Sequence, residues 1–442
     1  MPAKIVDLKN YSWRDELAYD GKGNVRKTIH NIELILTHDD AWRGLLVKDV
    51  FAEKILAVKA DDGRSPPEIE TGPWTDIATT RLRTWLSKTY GINLDASVAD
   101  AVVDSVADRN RRHPVREYLK ALKWDGKQRL PKMLHTYFGA DDTEYHASVA
   151  TMWMISGVAR VFHPGCQVDY MLVLIGTQGT RKSSAIRVLA KHWCADSFID
   201  IGKPDAMLGL QGVWIYEIAE LAAIKGARDI ERVKGFVTSR TDHFRSPYGR
   251  RYRDYPRQCV FAGTTNDETP LNDTENRRFW TVDCGNIDLD SLSRDVDQLW
   301  AEALVRYEMG EPWHPNTVEV AEACKREQEN HRRQDPWQPI VERWLDSSKT
   351  HFQPAPGTWI RFDTGMTTSD ALQGALSMVK ERIDHYASTR MGNVLRDCGL
   401  VSRRSAQNGR QRRYFKDDVD YSNVIEPPTT EDEDPNQEPL FP

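Results

Sequence analysis

The residues best suited to chemistry lie in Gly176-Thr-Gln-Gly-Thr-Arg-Lys182-Ser183. Small residues let successive backbone N–H groups curl around phosphate oxygens. A lysine then reaches the β- and γ-phosphates, and a hydroxyl ligates Mg²⁺ at the mouth of a helix whose dipole favours anions. Gly176, Gly179, Lys182 and Ser183 stand at the spacing this requires, with Thr180, Arg181 and Ser184 completing the candidate phosphate-contacting set. ATP with Mg²⁺ is the cofactor this spacing predicts. Arg181 occupies a position where the pattern asks for glycine, and its side chain is expected to project outward from the helix start.

Two further segments supply what such a loop lacks. Val213-Trp-Ile-Tyr-Glu217-Ile-Ala-Glu220 is an apolar run ending in acid. Glu217 at the strand tip suits holding Mg²⁺ through water, together with Ser183, and orienting an attacking water. Glu220 is either its partner carboxylate or an ordinary acid in the first turn of a helix. Val260-Phe-Ala-Gly-Thr-Thr-Asn266 ends in a neutral amide suited to a γ-phosphate and the lytic water. Arg277 and Arg278 follow before FWTV. Either arginine reaches a transferring phosphoryl across a subunit boundary, worth ~10³ or more in rate, or it makes a surface ion pair.

These residues need a scaffold that brings strand ends together. Tyr170–Ile175 is a short apolar run leading into the glycine loop and an amphipathic segment, hence strand, loop, helix. Further apolar runs at 212–218, 258–266 and 279–284 alternate with helical sequence, so residues 162–310 are expected to form an α/β core with a largely parallel sheet. Upstream, 1–60 carries no assignable chemistry, 61–73 reads as a linker, and 74–161 shows three- and four-residue apolar spacing typical of a helical domain. Downstream, 311–350 is expected to be a helical linker or lid. Residues 351–420 hold two helical segments and then an Asn-Gly turn between basic strands, the outline of a winged helix. Residues 421–442 are acidic and proline-rich and expected to be disordered.

Net charge is −6 over 442 residues, so any nucleic-acid contact must come from local patches. Ser239–Arg257 is one such patch, with six arginines against two aspartates and interleaved aromatics. Pro247-Tyr-Gly-Arg250 reads as the turn of a hairpin, with Arg245, Tyr248, Arg250, Arg251 and Arg253 as candidate DNA contacts to phosphates and bases. A solvated hairpin without a ligand is the alternative, and Arg245 and Lys234 are also placed to face the nucleotide. Arg390, Arg396, Arg403, Arg404, Arg410, Arg412 and Arg413 form a second basic surface, suited either to duplex DNA or to packing between subunits. Gln437, Leu440 and Phe441 in the terminal Gln-Glu-Pro-Leu-Phe-Pro match a short peptide that docks two apolar anchors and a glutamine into a sliding clamp; an inert tail is the alternative. The six cysteines are far apart, favouring reduced thiols in a cytoplasmic protein. No apolar run of membrane length or signal-peptide layout is seen, so no membrane role is expected.

Taken in order, Gly176–Ser183, VWIYEIAEL, FRSPYGRRYRDYPR, FAGTTN and ENRRFW resemble the virulence-associated protein E family of phage and mobile-element replication proteins, which belongs with the superfamily 3 helicases. The resemblance covers roughly residues 110–310, including PVREYLKALKWDGKQRL. It implies an AAA-like P-loop ATPase in a homo-hexameric ring, hydrolysing ATP between subunits and moving along single-stranded and forked DNA in a bacterial host cell. By matching, Lys182 and Ser183 carry over as loop residues, Glu217 as the acidic strand end, Asn266 as the γ-phosphate sensor, and Arg277 or Arg278 as the finger. Many relatives carry a primase module upstream; none is recognisable in this sequence, which leaves a separate primase as a partner. Two readings of other classes stand beside it: a non-hydrolysing DNA-binding assembly factor whose loop Arg181 has spoiled, and a nucleotide switch indifferent to single strands.

Overall fold

The computed structural model describes residues 12–59, 68–196, 204–219, 227–245, 251–267, 278–330, 335–347, 351–404 and 412–416. The chain divides into two compact units, one up to residue 332 and one from 333 onward.

The first unit opens with α1 (Ile29–His38), β1 (Leu46–Asp49), β2 (Lys54–Ala57), β3 (Gly72–Pro73), α2 (Asp76–Tyr90), α3 (Ala96–Arg109) and β4 (Arg111–Arg112). The four short strands form a sheet in the order β3-β2-β1-β4. Side-chain oxygens of Thr28 and Thr75 cap α1 and α2, and Gly91 ends α2 in the left-handed conformation that favours glycine. Ile32, Ile35, Leu82, Leu86, Val102 and Val103 close a core of their own.

Next come α4 (Pro114–Ala121), α5 (Met133–Phe138), α6 (Glu144–Phe162), β5 (Met171–Ile175), α7 (Lys182–Ala190), β6 (Cys194–Ala195), α8 (Pro204–Leu208), β7 (Ile215–Ile218), α9 (Ala227–Thr238), β8 (Thr241–Phe244), β9 (Arg253–Pro256), β10 (Val260–Thr265), β11 (Phe279–Asp283), α10 (Leu289–Glu308) and α11 (Val318–Asn330). The expected parallel α/β core is present: five strands in the order β11-β5-β10-β7-β6, every pair parallel. All residues of β5 and β10 are buried, as parallel strands covered on both faces must be. The two-residue alternation of a strand then sorts them. Leu172 and Leu174 face a cluster with α6, α7 and α10, whereas Met171, Val173 and Ile175 face one with α9. Helix α6 is apolar nearly all round and lies inside the fold. The stretch 74–161 therefore serves two cores, since α2 and α3 close the N-terminal one while α4, α5 and α6 build the central one.

The second unit comprises α12 (Gln338–Leu345), β12 (His351–Ala355), β13 (Thr358–Arg361), α13 (Thr368–Leu376), α14 (His385–Asp397), β14 (Val401–Arg404) and β15 (Arg412–Phe415). A capping box at Thr367 and Asp370 starts α13, and Asp384 caps α14. Two helices followed by an antiparallel pair is the element order read from the sequence. Among the described residues no helix is long and apolar enough to cross a membrane.

Candidate functional site

Three adjacent strands end at one edge of the parallel sheet. β5 runs into the glycine loop, β10 beside it runs into Asn266, and β7 on its far side carries Glu217. β10 follows β7 in the chain yet lies between β5 and β7 in space. That order brings together Lys182 and Asn266, 84 positions apart.

The loop is tightly built. A Cβ on Gly176 would come within 3.1 Å of the Cys284 carbonyl oxygen, so a side chain there would have to push the end of β11 aside by a few tenths of an ångström. Gly179 has φ 89°, the left-handed region. Arg181 caps α7 with φ 66° and ψ 23°, also left-handed. The missing glycine at this position is thus replaced by an arginine that adopts the conformation a glycine would take freely. Its side chain is exposed, as expected, and makes no ion pair among the described residues. Left-handed backbone costs an L-residue about 1–2 kcal/mol, while glycine loses about 0.5–1 kcal/mol more chain entropy on folding. Arg181→Gly is therefore expected to stabilise the chain by about 0.5–1 kcal/mol in urea melts. A loss of stability would show that the arginine makes a compensating contact.

Lys182, the first residue of α7, turns back into the loop and is only 7% exposed. Its Nζ donates to Gly176 O at 2.7 Å, Thr177 O at 3.0 Å, Thr180 Oγ1 at 3.2 Å and Asn266 Oδ1 at 3.2 Å. Burial pulls its pKa below the usual lysine value. Beside it the Cys284 thiol is pushed up to about 12 by its own burial, with the Lys182 charge acting against that rise. The ammonium is thus held by four oxygens of the kind a phosphate would replace.

Ser183, one residue on, donates to Glu217 Oε1 at 2.5 Å. Thr264 on β10 donates to the same oxygen at 2.8 Å. The carboxylate is 1% exposed, and its Oε2 has no hydrogen-bond partner. A buried carboxylate oxygen without a donor is costly unless a cation or a water engages it. Glu217 and Ser183 therefore fit a Mg²⁺ site completed by phosphate oxygens and water, the way this hard cation is usually held. Among the described residues no group of three or more His, Cys, Asp or Glu forms an all-protein metal site.

Sequence reasoning did not single out Thr264. Its signal was a hydroxyl near the tip of an otherwise apolar strand, but its target lies on another strand, 47 positions away.

The remaining expected residues divide. Ser184 is half-buried on α7 beside this cluster. Glu220, Arg277, Tyr248, Arg250, Gln437, Leu440 and Phe441 lie outside the described residues. Arg278 does not join the cluster. Its carbonyl accepts from Met171 N at the start of β5, the edge of the sheet opposite the glycine loop. The five residues of β11 separate it from that loop by ~16 Å.

The arginine-rich segment is a hairpin, β8 pairing with β9 from Thr241↔Pro256 to Phe244↔Arg253. Arg245, Arg251 and Arg253 are exposed, and Tyr252, 65% exposed, stacks on His243 with ring centroids 5.4 Å apart. Arg257, counted among the six arginines of the patch, does not add to its exposed charge. It is buried, forks onto both oxygens of Asp242 at 2.8 and 2.7 Å, donates to Phe236 O, and lies 4.4 Å from the Phe236 ring centroid. Arg240 donates to Gly165 O at 2.9 Å. Both tie the hairpin base to the core; Arg257 is buried and not free for a ligand, whereas Arg240 stays exposed with its Nε engaged. Lys234 is likewise buried, paired with Glu231 at 2.8 Å.

The second basic surface also loses members. Arg390 forks onto Asp335 at 2.7 Å through two nitrogens and stacks 3.8 Å from the Trp337 ring centroid. Arg413 donates to Thr364 O at 2.9 Å and Gly365 O at 3.0 Å. Arg396, Arg403 and Arg412 stay exposed, whereas Arg410 and the Arg404 side chain lie outside the described residues.

Fold and site together place the chain in the parallel α/β class, with a polar cluster outside the carboxyl ends of the strands, where such sheets hold their ligands. Residues 119–333 match the family model of the virulence-associated protein E-like domain, and the chain carries that domain, the family its motifs resemble. Among solved structures it is similar to "The apo structure of NrS-1 C terminal region (305-718)", at 13% identity and a TM-score of 0.41, covering 79% of this chain and 82% of that one. It is also similar to "The A form apo structure of NrS-1 C terminal region-CTR", at 13% identity and a TM-score of 0.45, covering 84% and 96%. Comparison with curated proteins finds no match.

Proposed function

We propose that this chain is an ATP-hydrolysing DNA motor acting in phage or mobile-element replication, a superfamily 3-type P-loop helicase working as a homo-hexameric ring. The observation that carries the reading is the convergence of Lys182, Ser183, Asn266 and Glu217 at one sheet edge, with Glu217 Oε2 left unpartnered. Lys182 would exchange its loop carbonyls for the β- and γ-phosphates, which compensate an ammonium in a partly buried site far better. Ser183 Oγ and Glu217 would hold Mg²⁺, which when bound neutralises charge on the phosphate oxygens. Glu217 Oε2 would orient the attacking water and take its proton, while the Asn266 amide holds that water against the γ-phosphate.

The position of Arg278 supports action between copies. It lies at the wrong edge for its own loop and suits a neighbour's phosphates, in the manner of an arginine finger. The exposed Arg245, Arg251 and Arg253 would meet the DNA backbone, and the Tyr252–His243 stack offers a face to bases.

Turnover of Mg·ATP by the purified chain, with and without single-stranded DNA, tests the reading. The wild type is expected to be stimulated by DNA, and Lys182→Ala to fall to about 1% of it or less, the scale expected when a charged transition-state contact is removed. Wild-type protein with no turnover at millimolar Mg·ATP would return the chain to a non-hydrolysing assembly factor. Slow turnover indifferent to DNA would make it a nucleotide switch.

A further inference from the structure

Helix α14 carries a face that the ATP site does not use. Counting 100° per residue from Tyr386, the side chains of Tyr386, Thr389, Asn393 and Arg396 fall within an arc of ~80°. The buried residues Ala387, Met391, Val394 and Leu395 occupy the opposite side and pack into the core of the second unit. Tyr386 is 74% exposed, Thr389 and Arg396 are exposed, and Asn393 is half-buried.

This is an unusual composition for a merely solvated face, which ordinarily alternates Glu and Lys in supporting pairs. The arc holds no carboxylate. Asp397, at the last position of the helix, is engaged in another interaction, and Asp384 caps the first turn. Asn393 Oδ1 accepts from Arg396, so the two side chains present a joined amide and guanidinium. Directly after the helix, β14 and β15 expose Arg403 and Arg412, paired with Arg413 and Arg404 across the ladder. Tyr414 of β15 packs so closely on Gly392 that a Cβ there would clash with its hydroxyl, which fixes the strand pair against the helix.

We propose that this face of α14 reads duplex DNA in the major groove, with Asn393 and Arg396 addressing base edges and Arg403 and Arg412 meeting the flanking phosphates. The 13 residues of α14 span ~20 Å, and a helix of this kind fits the major groove, which is ~12 Å wide. Amide and guanidinium are the groups that bond adenine and guanine bidentately there. The site uses none of the β8–β9 hairpin residues and needs no nucleotide.

The test is fluorescence anisotropy of the full chain on the duplex that the wild type enriches from a randomised pool and on a single strand of equal length, without nucleotide, so that the result does not depend on whether the loop hydrolyses ATP. The double variant Asn393→Ala/Arg396→Ala is expected to lose about tenfold or more in duplex affinity and no more than about twofold on the single strand. Arg396→Lys is expected to retain binding but relax the sequence enriched from a randomised duplex pool, because it keeps the charge and loses the fork. An unchanged duplex affinity in a variant with wild-type melting overturns the proposal. So does an equal loss on both substrates, or a wild-type chain that binds no duplex.

Discussion

Glu217→Gln is expected to lower DNA-stimulated ATP turnover by about 10²–10⁴-fold, the range of a positioned acid or base, while ATP still binds. The substitution is isosteric, so it leaves β7 and its pairing with β10 in place. Oε1 already receives two hydrogen bonds, from Ser183 and from Thr264, and Oε2 receives none. An amide keeps one carbonyl oxygen for the two hydroxyls but places an NH₂ where the free oxygen was. It can neither accept a proton from water nor share a cation. Binding and chemistry separate because Lys182 and the loop amides, which would hold the phosphates, are untouched. Thr264→Val, which removes one of the two hydroxyls that fix the carboxylate, should show a milder loss of the same kind. Equilibrium binding of a fluorescent ATP analogue alongside steady-state turnover distinguishes the outcomes. If Glu217→Gln turns over at the wild-type rate, Glu217 is not the base and the proposed chemistry is wrong.

Arg257→Ala carries the largest expected cost to stability, about 3–5 kcal/mol, because it strands the Asp242 carboxylate in the interior. Side chains of this pair are each 2% exposed, so water cannot take the place of the lost partner. The guanidinium also stacks on Phe236 and Phe261 and bonds the Phe236 carbonyl near the end of α9. One residue thereby joins β8, the end of β9 and α9, the elements that would transmit motion between nucleotide site and hairpin. Arg257→Lys should rescue little, since an ammonium cannot fork onto both carboxylate oxygens. Replacing both partners with apolar residues should recover much of the loss, as is common for buried pairs. Urea unfolding of the three variants measures this. An unfolding free energy for Arg257→Ala within about 0.5 kcal/mol of wild type, the scatter of ordinary surface changes, would refute the structural role.

Much of the scaffold was legible because its signals are local. The run Met-Leu-Val-Leu-Ile followed directly by a glycine loop and then lysine and serine announces strand, loop and helix. The apolar runs at 215–218, 260–265 and 279–283 likewise became three of the other four strands of the sheet, the fourth being the two-residue β6. The buried role of Arg257 was not legible because six arginines in a row of turn formers look alike along the chain. Only the register Asp242↔Tyr255 brings the Asp242 carboxylate to the end of β9, within reach of one of them. Arg390 was misjudged for the same reason, its partner Asp335 lying 55 positions upstream. Thr264 was overlooked because a threonine in a strand is ordinary until its neighbour strand is known.

By itself the sequence determined which residue types would be present, and their local spacing: a glycine loop with Lys182 and Ser183, an acid ending one strand, an amide ending another, and a basic hairpin. Periodicity and turn chemistry act over a few residues, so these features survive without any knowledge of the fold. The tertiary structure alone decided that β10 slots between β5 and β7, and so which of those residues touch. It alone left Glu217 Oε2 without a donor, sent Arg278 to the far edge, and withdrew Arg257 and Arg390 into ion pairs. Those outcomes depend on strand order and burial, which are set by how separate segments share one core, and no window along the chain contains them.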